Sequence, residues 1–442
     1  MGLELLSKLN GSMCQCGKVH SFSGTVLVGS SVVRDLPSII ASMNCVKPFL
    51  LADKNTYVAA GSTVCEILQN AQINYTQYIF SGDTVEPDEY RVGSAFMHLD
   101  ASCDMIIGIG SGVINDIGKI LSLHTGKPYI IVATAPSMDG YASASSSMTR
   151  DGLKISLPTR SADVIIGDTD ILCNAPLHMM KSGLGDMLAK YVSICEWRIS
   201  NLITGEYYCE EIAALIRSAV KSCVDNAPKL LQRDATAVQA VFEGLVIGGV
   251  AMNYAGLSRP ASGVEHYISH IVDMRAVEFN MPADLHGIQC AIGTLLAIRM
   301  YEKLHARTPD IGKATAYVKD FDFSAWSHEL RALLGKGADT MIRQEEKEQK
   351  YNLDSHQERL AVICANWDKI LKIITEELPS SQQLEKLLDS IEAPKALHQI
   401  GIDKKLTPHI IKATKDIRDK YVLSRLLWDL GLLDEFSQEV EK

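Results

Sequence analysis

Short apolar runs alternate with helix-patterned segments over the first third of the chain. The runs GTVLVGS, KPFLLADKN, CDMIIGIG and PYIIVATAP predict strands, and ADVIIGDTDIL at residues 162–172 predicts the last strand. Segments such as TVCEILQNAQ and NDIGKILSLHTG lie between them and have helical patterns. Residues 105–109 and 129–132 are almost continuously apolar, which is typical of strands covered on both faces. This alternation predicts βαβ units and a parallel sheet.

The pattern changes in the second part of the chain. From Pro176 onward, apolar residues recur at helical spacing almost to the end. We therefore predict an α/β domain over residues 1–175 and an all-α domain over residues 176–442. The most apolar run, residues 240–257, contains Glu243 and Asn253, so it predicts a buried helix rather than a membrane span.

Charge and cysteine content narrow the classes of function. The chain has 43 Lys and Arg against 53 Asp and Glu, a formal net charge of −10. Nucleic acid is therefore disfavoured as a partner, because phosphate backbones bind clustered positive charge. The 11 cysteines are scattered, and no long apolar run typical of a signal peptide lies near the N-terminus. We expect a cytoplasmic protein with reduced thiols.

The segment CQCGKVH near the N-terminus contains Cys14, Cys16 and His20. These are three ligands of the kind that soft metal ions prefer. The sequence offers no fourth ligand nearby, so we interpret the segment as a surface loop.

A glycine-rich segment, DMIIGIGSGVINDIGKI, leads from a predicted strand into a predicted helix through Gly108, Gly110 and Gly112. Glycines let the backbone approach a bulky anion, and the start of a helix attracts negative charge, so a diphosphate is the natural ligand. Val113 occupies the last position of the G-x-G-x-x-G fingerprint, which is therefore incomplete. The alternative is a tight strand-to-helix turn that binds nothing.

Asp53 follows the predicted strand PFLLA. A carboxylate at such a strand end can accept hydrogen bonds from a ribose diol. The same residue can also serve only as the N-cap of the next helix. Asp53 would repel a 2′-phosphate, whereas Lys54 could accept one, so both NAD(H) and NADP(H) stay open.

The stretch SGVEHYISHIVDMRAVEFNMPADLHG contains His266, His270 and His286. A catalytic metal site usually has three protein ligands and one open position. The spacing of four residues alone favours His266 and His270 as a ligand pair on one helix face. Asp186, in GLGDMLAK, is a candidate carboxylate ligand near the start of the first long helix. The alternatives are packed histidines that bind nothing and an Asp186 that caps a helix.

Five motifs occur in one order along the chain: GIGSGVINDIGK, TAPSMDGYASASSS, GLGDMLAKYVS, SGVEHYISH and LHG. With them the chain resembles the superfamily of glycerol dehydrogenase, dehydroquinate synthase and iron-dependent alcohol dehydrogenase. Within it, the chain most closely resembles the bacterial glycerol-1-phosphate dehydrogenases, whose C-terminal pattern is similar to KDIRDKYVLSRLLWDLGLL. The resemblance implies a dehydroquinate synthase-like fold and a homodimer. In this fold, residues 1–175 would form a Rossmann-like dinucleotide-binding domain and residues 176–442 a metal- and substrate-binding domain.

The resemblance also implies a ligand set for one divalent metal ion, which could be Zn²⁺, Ni²⁺ or Fe²⁺. The implied ligands are Asp186, His266 and His286. His270 then lies one turn further along and is assigned to proton transfer. Lys190 occupies the position of the fourth ligand, a histidine, in iron-type alcohol dehydrogenases, which favours the three-ligand polyol branches.

Cofactor and substrate contacts are implied in the same way. Residues matching the cofactor-binding positions of the family are Gly110, Ser111, Gly112, Asp116, Thr134, Ser137 and Ser143, in addition to Asp53. Asp139 matches a residue that contacts the substrate hydroxyls, and we also assign it to proton transfer. A substrate phosphate needs cations or free N–H groups, for which Lys190, Arg259 and Ser262 are candidates.

These expectations together indicate reversible, metal-dependent and NAD(P)H-linked reduction of dihydroxyacetone phosphate to sn-glycerol 1-phosphate. One alternative is a dehydrogenase of glycerol or a similar unphosphorylated diol. Another is a lyase like dehydroquinate synthase, although that branch tends to have Glu where this chain has Asp186. A non-catalytic homologue is disfavoured because it would not require an open metal site.

Overall fold

A computed structural model describes residues 2–82, 84–150 and 153–440 of the chain. In this part, a parallel sheet has the strand order β1-β8-β5-β4-β2-β3, and β6 and β7 form an antiparallel pair. The strands are β1 (Thr25–Gly29), β2 (Pro48–Asp53), β3 (Thr76–Phe80), β4 (Met105–Gly110), β5 (Tyr129–Ala133), β6 (Ser145–Arg150), β7 (Leu153–Pro158) and β8 (Val164–Asp168).

Helices connect the strands of the sheet and fill most of the chain after β8. Those before residue 260 are α1 (Gly2–Leu9), α2 (Leu36–Ser42), α3 (Lys54–Thr56), α4 (Ser62–Asn70), α5 (Glu89–His98), α6 (Gly112–Thr125), α7 (Thr169–Leu172), α8 (Leu177–Leu188), α9 (Lys190–Thr204), α10 (Glu210–Asn226) and α11 (Ala235–Ala255).

The remaining helices follow without any further strand in the described residues. They are α12 (Val264–Glu278), α13 (His286–His305), α14 (Ile311–Lys319), α15 (Phe323–Leu334), α16 (Ala338–Glu348), α17 (Leu353–Ala365), α18 (Trp367–Glu377), α19 (Ser381–Ser390), α20 (Thr407–Ala413), α21 (Leu423–Asp429) and α22 (Leu433–Glu439). The predicted fold class, an α/β N-terminal region followed by a mostly helical region, is confirmed.

Burial explains why the central strands of the sheet could be predicted from the sequence. Every residue of β4, β5 and β8 is buried. The strands at the two edges, β1 and β3, are mostly half-buried. Parallel strands with helices on both faces need apolar side chains on both faces, and this requirement produces the continuous apolar runs.

The chain divides into two compact units, one of residues 1–187 and 214–257 and the other of residues 188–213 and 258–442. This division differs from a single boundary after residue 175, because α8 contacts the loop after β5 and α11 packs against β8. In α11, Asn253 donates hydrogen bonds to the carbonyl of Ala142 (2.5 Å) and to Oγ of Ser161 (2.9 Å). These contacts assign a long helix of the predicted all-α region to the sheet-containing unit.

Helix α11 is the buried helix that the sequence predicted. By length and composition alone it is apolar enough to cross a membrane, with a mean hydropathy of 1.6 in its most apolar window. Inside the structure, 72% of that window is buried. The side chains therefore have protein neighbours, as expected of a core helix.

We expect Gly183→Ala to unfold or displace α8. A Cβ on Gly183 would lie 1.9 Å from the carbonyl oxygen of Pro136, a backbone atom that cannot rotate away. Overpacking of this kind costs about 3 kcal/mol or more. Chemical denaturation of the purified variant measures the loss.

Gly93→Ala is the matched control for this substitution. Gly93 lies within α5, and a Cβ added there would meet no atom within 4 Å beyond its own stretch of helix backbone. Alanine should therefore raise the free energy of unfolding by about 0.5–1 kcal/mol through helix propensity. Equal stability of the two variants would contradict the close approach of α8 to Pro136.

Candidate active site

The glycine-rich segment forms the turn between β4 and α6. Gly110 ends β4, Ser111 is the N-cap residue, and Gly112 begins the helix. A Cβ on Gly110 would lie 2.6 Å from Cβ of Ile114, so glycine lets the helix begin this close to the strand. The first turn of this 14-residue helix offers N–H groups and a positive dipole end to an anion.

The loop after β5 runs beside this glycine turn. The N–H of Thr134 donates to the carbonyl of Gly110 at 3.1 Å. The hydroxyl oxygens of Ser111 and Ser137 are 2.5 Å apart, and the hydroxyl oxygen of Tyr141 is 3.2 Å from Oγ of Ser111. The structure therefore brings together four of the predicted cofactor-binding residues at the carboxyl ends of two neighbouring strands.

A turn at residues 139–143 is held by side chains from α6 and α11. Asn115 and Lys119 of α6 donate to one carbonyl of this turn at 3.0 Å and 3.2 Å, and Lys119 also donates to Oγ of Ser143 at 3.3 Å. Asn253 of α11 binds a second carbonyl. Ser143, four residues after Asp139, is consequently buried and held in place.

Asp186 contacts this turn directly. Its Oδ2 accepts a hydrogen bond from the backbone N–H of Asp139 at 2.9 Å, and its side chain is fully buried. The predicted position of Asp186 near the start of a long helix is wrong. The segment divides into α8 and α9 around Ala189, and Asp186 lies near the C-terminal end of α8.

Asp116 and Asp53 lie on the same unit. Oδ1 of Asp116 is 3.1 Å from Nζ of Lys119, so the two side chains form an ion pair. Asp53 ends β2, which pairs with β4, and its Oδ1 accepts the N–H of Thr56 at 2.8 Å in a capping box. Asp53 is thus an N-cap, and its contact with a ribose stays a prediction.

In the second unit, α12 and the start of α13 bring three histidines together. The ring centroids of His266 and His286 are 5.1 Å apart, and those of His270 and His286 are 5.8 Å apart. One ring nitrogen each from His266 and His286 and Sγ of Cys290 lie within 4.8 Å of one another. His266 and Cys290 are buried, whereas His270 and His286 are half-buried.

Hydrogen bonds determine which nitrogen of His286 carries the proton. The hydroxyl of Ser269 donates to Oε1 of Gln289 at 2.8 Å, while the amide nitrogen of Gln289 donates to Asp273 at 3.0 Å. Because Ser269 has a single proton to donate, its oxygen accepts the 2.8 Å bond from Nδ1 of His286. Nε2 of His286 therefore carries a lone pair.

His266 is oriented in the same way by a carboxylate. Its Nδ1 lies 2.8 Å from Oε1 of Glu265, which can only accept when ionised, so Nε2 again carries the lone pair. Metal-binding histidines usually have such a partner on the other ring nitrogen. Glu265 in turn contributes to raising the pKa of Glu196 to about 8, after the larger effect of burial.

Cys290 adds a thiol beside the two imidazoles. Its Sγ is 3.6 Å from Nε2 of His286. Burial alone would raise the pKa of this thiol, but His266 and His286 outweigh that effect and lower it. Two imidazoles and a thiol are donors of the kind that Zn²⁺ and similar divalent metal ions prefer.

The three residues predicted to contact a substrate phosphate have different surroundings. Arg259 is buried, with Nε 2.9 Å from both carboxylate oxygens of Glu206 and further bonds to Tyr421 and Ser200. Lys190 is also buried, in the first turn of α9. The carbonyl of Ser262 accepts a hydrogen bond from Nζ of a lysine that sequence reasoning did not single out.

That lysine is Lys420, which lies in the C-terminal motif. Its Nζ donates to Oγ of Ser258 at 2.7 Å and to the carbonyl of Ser262 at 3.2 Å. Burial and the neighbouring Arg259 and Arg418 lower its pKa to about 7. Lys420 contacts Ser258 and Ser262 just before the N-terminus of α12, and a cation beside a helix N-terminus is suited to an anion. The cluster of basic residues in KDIRDK was the available sequence signal.

Known proteins resemble the chain over most of its length. The family model described as iron-containing alcohol dehydrogenase matches residues 27–176. The glycerol-1-phosphate dehydrogenase (NAD(P)+) of Halalkalibacterium halodurans is 25% identical over 94% of this chain and 96% of its own. A glycerol dehydrogenase structure from Schizosaccharomyces pombe has the same fold, with a TM-score of 0.61 at 15% identity, covering 98% of this chain and 93% of its own.

A second relative with the same name has higher identity. The glycerol-1-phosphate dehydrogenase (NAD(P)+) of Methanosarcina acetivorans is 32% identical over 277 residues, which are 62% of this chain and 76% of the relative. The order of motifs, the sheet with its glycine turn and the oriented histidines agree with this similarity. The chain belongs to the glycerol-1-phosphate dehydrogenase family of oxidoreductases.

Proposed function

We propose that this chain catalyses the reversible, metal-dependent and NAD(P)H-linked reduction of dihydroxyacetone phosphate to sn-glycerol 1-phosphate. The observation that carries the proposal is the orientation of two adjacent imidazoles. His266 and His286 each have Nδ1 committed to a neighbouring oxygen, so that both keep Nε2 for a metal ion. The substrate is inferred from the relatives, which are named glycerol-1-phosphate dehydrogenases.

Asp186 is our proposed third ligand, alongside His266 and His286. One carboxylate and two imidazoles suit Zn²⁺, Ni²⁺ or Fe²⁺, among which metal availability matters as much as affinity. Asp186 is fully buried, and a buried carboxylate needs a compensating positive charge or hydrogen bonds. The N–H of Asp139 supplies one such hydrogen bond, and a bound metal ion would add further compensation.

The chemistry divides between the bound groups and the protein. A divalent metal ion held by Asp186, His266 and His286 would supply a Lewis acid for the C2 carbonyl of the ketone, and a bound nicotinamide would supply the hydride. Asp139 is half-buried and held through its own N–H, so its carboxylate is our candidate for contacting the substrate hydroxyls and moving a proton. His270, half-buried beside His286, is the second candidate for proton transfer.

For the dinucleotide we propose the glycine turn and the loops beside it. Gly110, Ser111 and Gly112 would receive the pyrophosphate at the start of α6. Further contacts are proposed for Asp116, Thr134, Ser137, Ser143 and Asp53. Asp53 disfavours a 2′-phosphate and Lys54 favours one, which is compatible with use of both NAD(H) and NADP(H).

For the substrate phosphate, Lys420 joins the candidates Ser262, Arg259 and Lys190. Arg259 already has its charge compensated by Glu206, whereas Lys420 donates to two neutral oxygens. We therefore propose Lys420 as the principal cation of the phosphate site, with Arg259 and Lys190 in supporting positions. A homodimer and a cytoplasmic location complete the proposal, and the free thiols of the chain fit a reducing compartment.

The first test compares dihydroxyacetone phosphate with dihydroxyacetone by NADH absorbance. After chelator treatment, we expect activity to be lost and to return with Zn²⁺, Ni²⁺ or Fe²⁺, with strong preference for the phosphorylated ketone. His266→Ala should lose metal and activity together, while the exposed His328→Ala should keep both. Activity in metal-free enzyme would overturn the mechanism, and equal turnover of dihydroxyacetone would assign the chain to unphosphorylated diols.

Ser269→Ala should weaken metal binding without unfolding the protein. The substitution removes the acceptor that fixes the proton on Nδ1 of His286, and loss of such a partner typically lowers metal affinity about 10–100-fold. Competition with a chromogenic chelator measures the affinity. Ser269→Thr keeps the hydroxyl and should therefore bind metal as tightly as the wild type.

Ser327→Ala is the control for Ser269→Ala, because Ser327 is also a buried helix serine but its hydroxyl bonds the carbonyl of Phe323 in its own helix. Its metal affinity should equal that of the wild type. If Ser269→Ala bound metal as tightly as this control, the hydroxyl would have no role in orienting His286.

Lys420→Gln should raise KM for dihydroxyacetone phosphate and leave turnover of dihydroxyacetone unchanged. A hydrogen bond to a charged group contributes about 1.5–3 kcal/mol, which corresponds to roughly 10–100-fold in KM. The exposed Lys372→Gln is the control. Equal losses with both ketones would assign Lys420 to the fold rather than to the phosphate.

The pH dependence follows from the lowered pKa of Lys420. With a pKa of about 7 in the free enzyme, Lys420 is an ammonium below that pH and a neutral amine above it. KM for dihydroxyacetone phosphate should therefore rise as the pH increases beyond 7. The same profile measured on Lys420→Gln should be flat in that window.

A further inference from the structure

In the segment CQCGKVH, the residues Gln15, Gly17, Lys18 and Val19 are exposed, as expected of the predicted surface loop, but two of its three possible metal ligands are buried. Cys14 and His20 are buried, with 7% and 1% of their surfaces exposed, and Cys16 is half-buried. The ligand atoms of these three residues all lie within 4.8 Å of one another, and Sγ of Cys16 is 3.4 Å from Nε2 of His20. Two thiols and an imidazole thus converge far along the chain from the residues assigned to catalysis.

A tight turn produces this convergence. The N–H of Cys14 donates to the carbonyl of Lys18, and the N–H of Gly17 donates back to the carbonyl of Cys14, both at 2.9 Å. Gly17 has φ of 82°, a left-handed conformation that favours glycine. On either side of the turn, Met13 pairs with Val19 in an antiparallel bridge. The backbone itself therefore holds the two cysteines and the histidine together.

The imidazole of His20 is oriented as a metal ligand. Its Nδ1 is 2.9 Å from the carbonyl oxygen of Tyr254, which can only accept a hydrogen bond. The proton is therefore on Nδ1, and Nε2 presents its lone pair to Cys16. A backbone carbonyl on the second ring nitrogen is a common partner of metal-binding histidines.

We propose that Cys14, Cys16 and His20 bind a structural Zn²⁺ ion, distinct from the catalytic metal. Two thiolates and one imidazole are ligands that Zn²⁺ prefers, and they exclude the oxygen-seeking Mg²⁺ and Ca²⁺. Neither cysteine forms a disulfide, which would prevent its sulfur atom from binding a metal ion as a thiolate. The fourth ligand of a tetrahedral site comes from outside the segment, as a water or another side chain.

The neighbours of the site indicate what the ion does. His20 is bound to Tyr254 of α11, and the hydroxyl of Tyr254 donates to the carbonyl of Leu6 in α1 at 3.1 Å. The ion would fasten the N-terminal segment to α11, which through Asn253 holds the turn at residues 139–143. Loss of Zn²⁺ should therefore lower the stability of the protein. It should affect catalysis only indirectly, through this loss of stability.

Metal analysis of the full-length protein tests the proposal. Protein made with Zn²⁺ in the medium should contain one more metal equivalent per chain than the Cys14→Ser, Cys16→Ser double variant, which should also melt at a lower temperature. The control Cys173→Ser removes a half-buried cysteine outside the cluster and should keep the full metal content. Unchanged zinc content in a folded double variant would overturn the proposal.

A second measurement applies if the double variant does not fold. In His266→Ala the catalytic metal is expected to be lost while residues 14–20 are untouched, so zinc X-ray absorption reports the remaining ion. At least two sulfur ligands at about 2.3 Å and one imidazole nitrogen are expected. An ion with only oxygen and nitrogen ligands, or no zinc at all, would refute the site. Since the two metals are removed by different variants, failure here leaves the proposed catalytic function unaffected.

Discussion

The ammonium group of Lys119 is the constraint on which the proposed dinucleotide-binding residues depend. Its side chain is fully buried, so its charge must be compensated by protein groups. Asp116 supplies the opposite charge at 3.1 Å, and carbonyls of Gly140 and Ser145 and the hydroxyl of Ser143 accept its protons. Breaking this buried ion pair would leave an uncompensated charge, which is strongly destabilising. The groups around Lys119 therefore have few alternative positions.

As a consequence, these contacts fix three segments of the chain relative to one another. Lys119 and Asp116 belong to α6, Ser143 to the turn after β5, and Ser145 to the start of β6. The turn is further restrained by α11, where a Cβ on Gly249 would lie 2.8 Å from the carbonyl oxygen of Asp139. Asp139, whose N–H binds Asp186, is therefore placed by contacts on both sides of the turn. Packing and charge compensation together position the side chains that the family motifs identify.

The strands that could be predicted from the sequence are mainly those that are buried in the fold. Strands β2, β4, β5 and β8 were found because most of their residues are buried and apolar. Edge strand β1 was found from its apolar sequence although it is mostly half-buried, whereas edge strand β3 and the pair β6–β7 were missed. In β6, the sequence SSSMTR has no apolar alternation. The break between α8 and α9 was also missed, because apolar residues continue at helical spacing across Ala189.

For the site, the sequence identified groups by type and motif but not the groups that orient them. Ser269, Gln289 and Asp273 act on His286 through hydrogen bonds, and serine, glutamine and aspartate at such positions look like ordinary polar helix residues. Lys119 and Lys420 were missed for the same reason. A charged residue becomes informative only when its burial is known, and burial depends on the tertiary fold.

The histidines proposed as metal ligands share one hydrogen-bonding feature, which another histidine of the chain also has. His20, His266 and His286 each commit Nδ1 to an oxygen, from a carbonyl, a carboxylate and a hydroxyl respectively. His98 also commits Nδ1, to the carbonyl of Ser94, but its ring stacks on Tyr78. An oriented lone pair is thus necessary for a ligand but not sufficient. What distinguishes His20 from His98 is a thiol 3.4 Å from Nε2, because a metal ion requires several donors at one point.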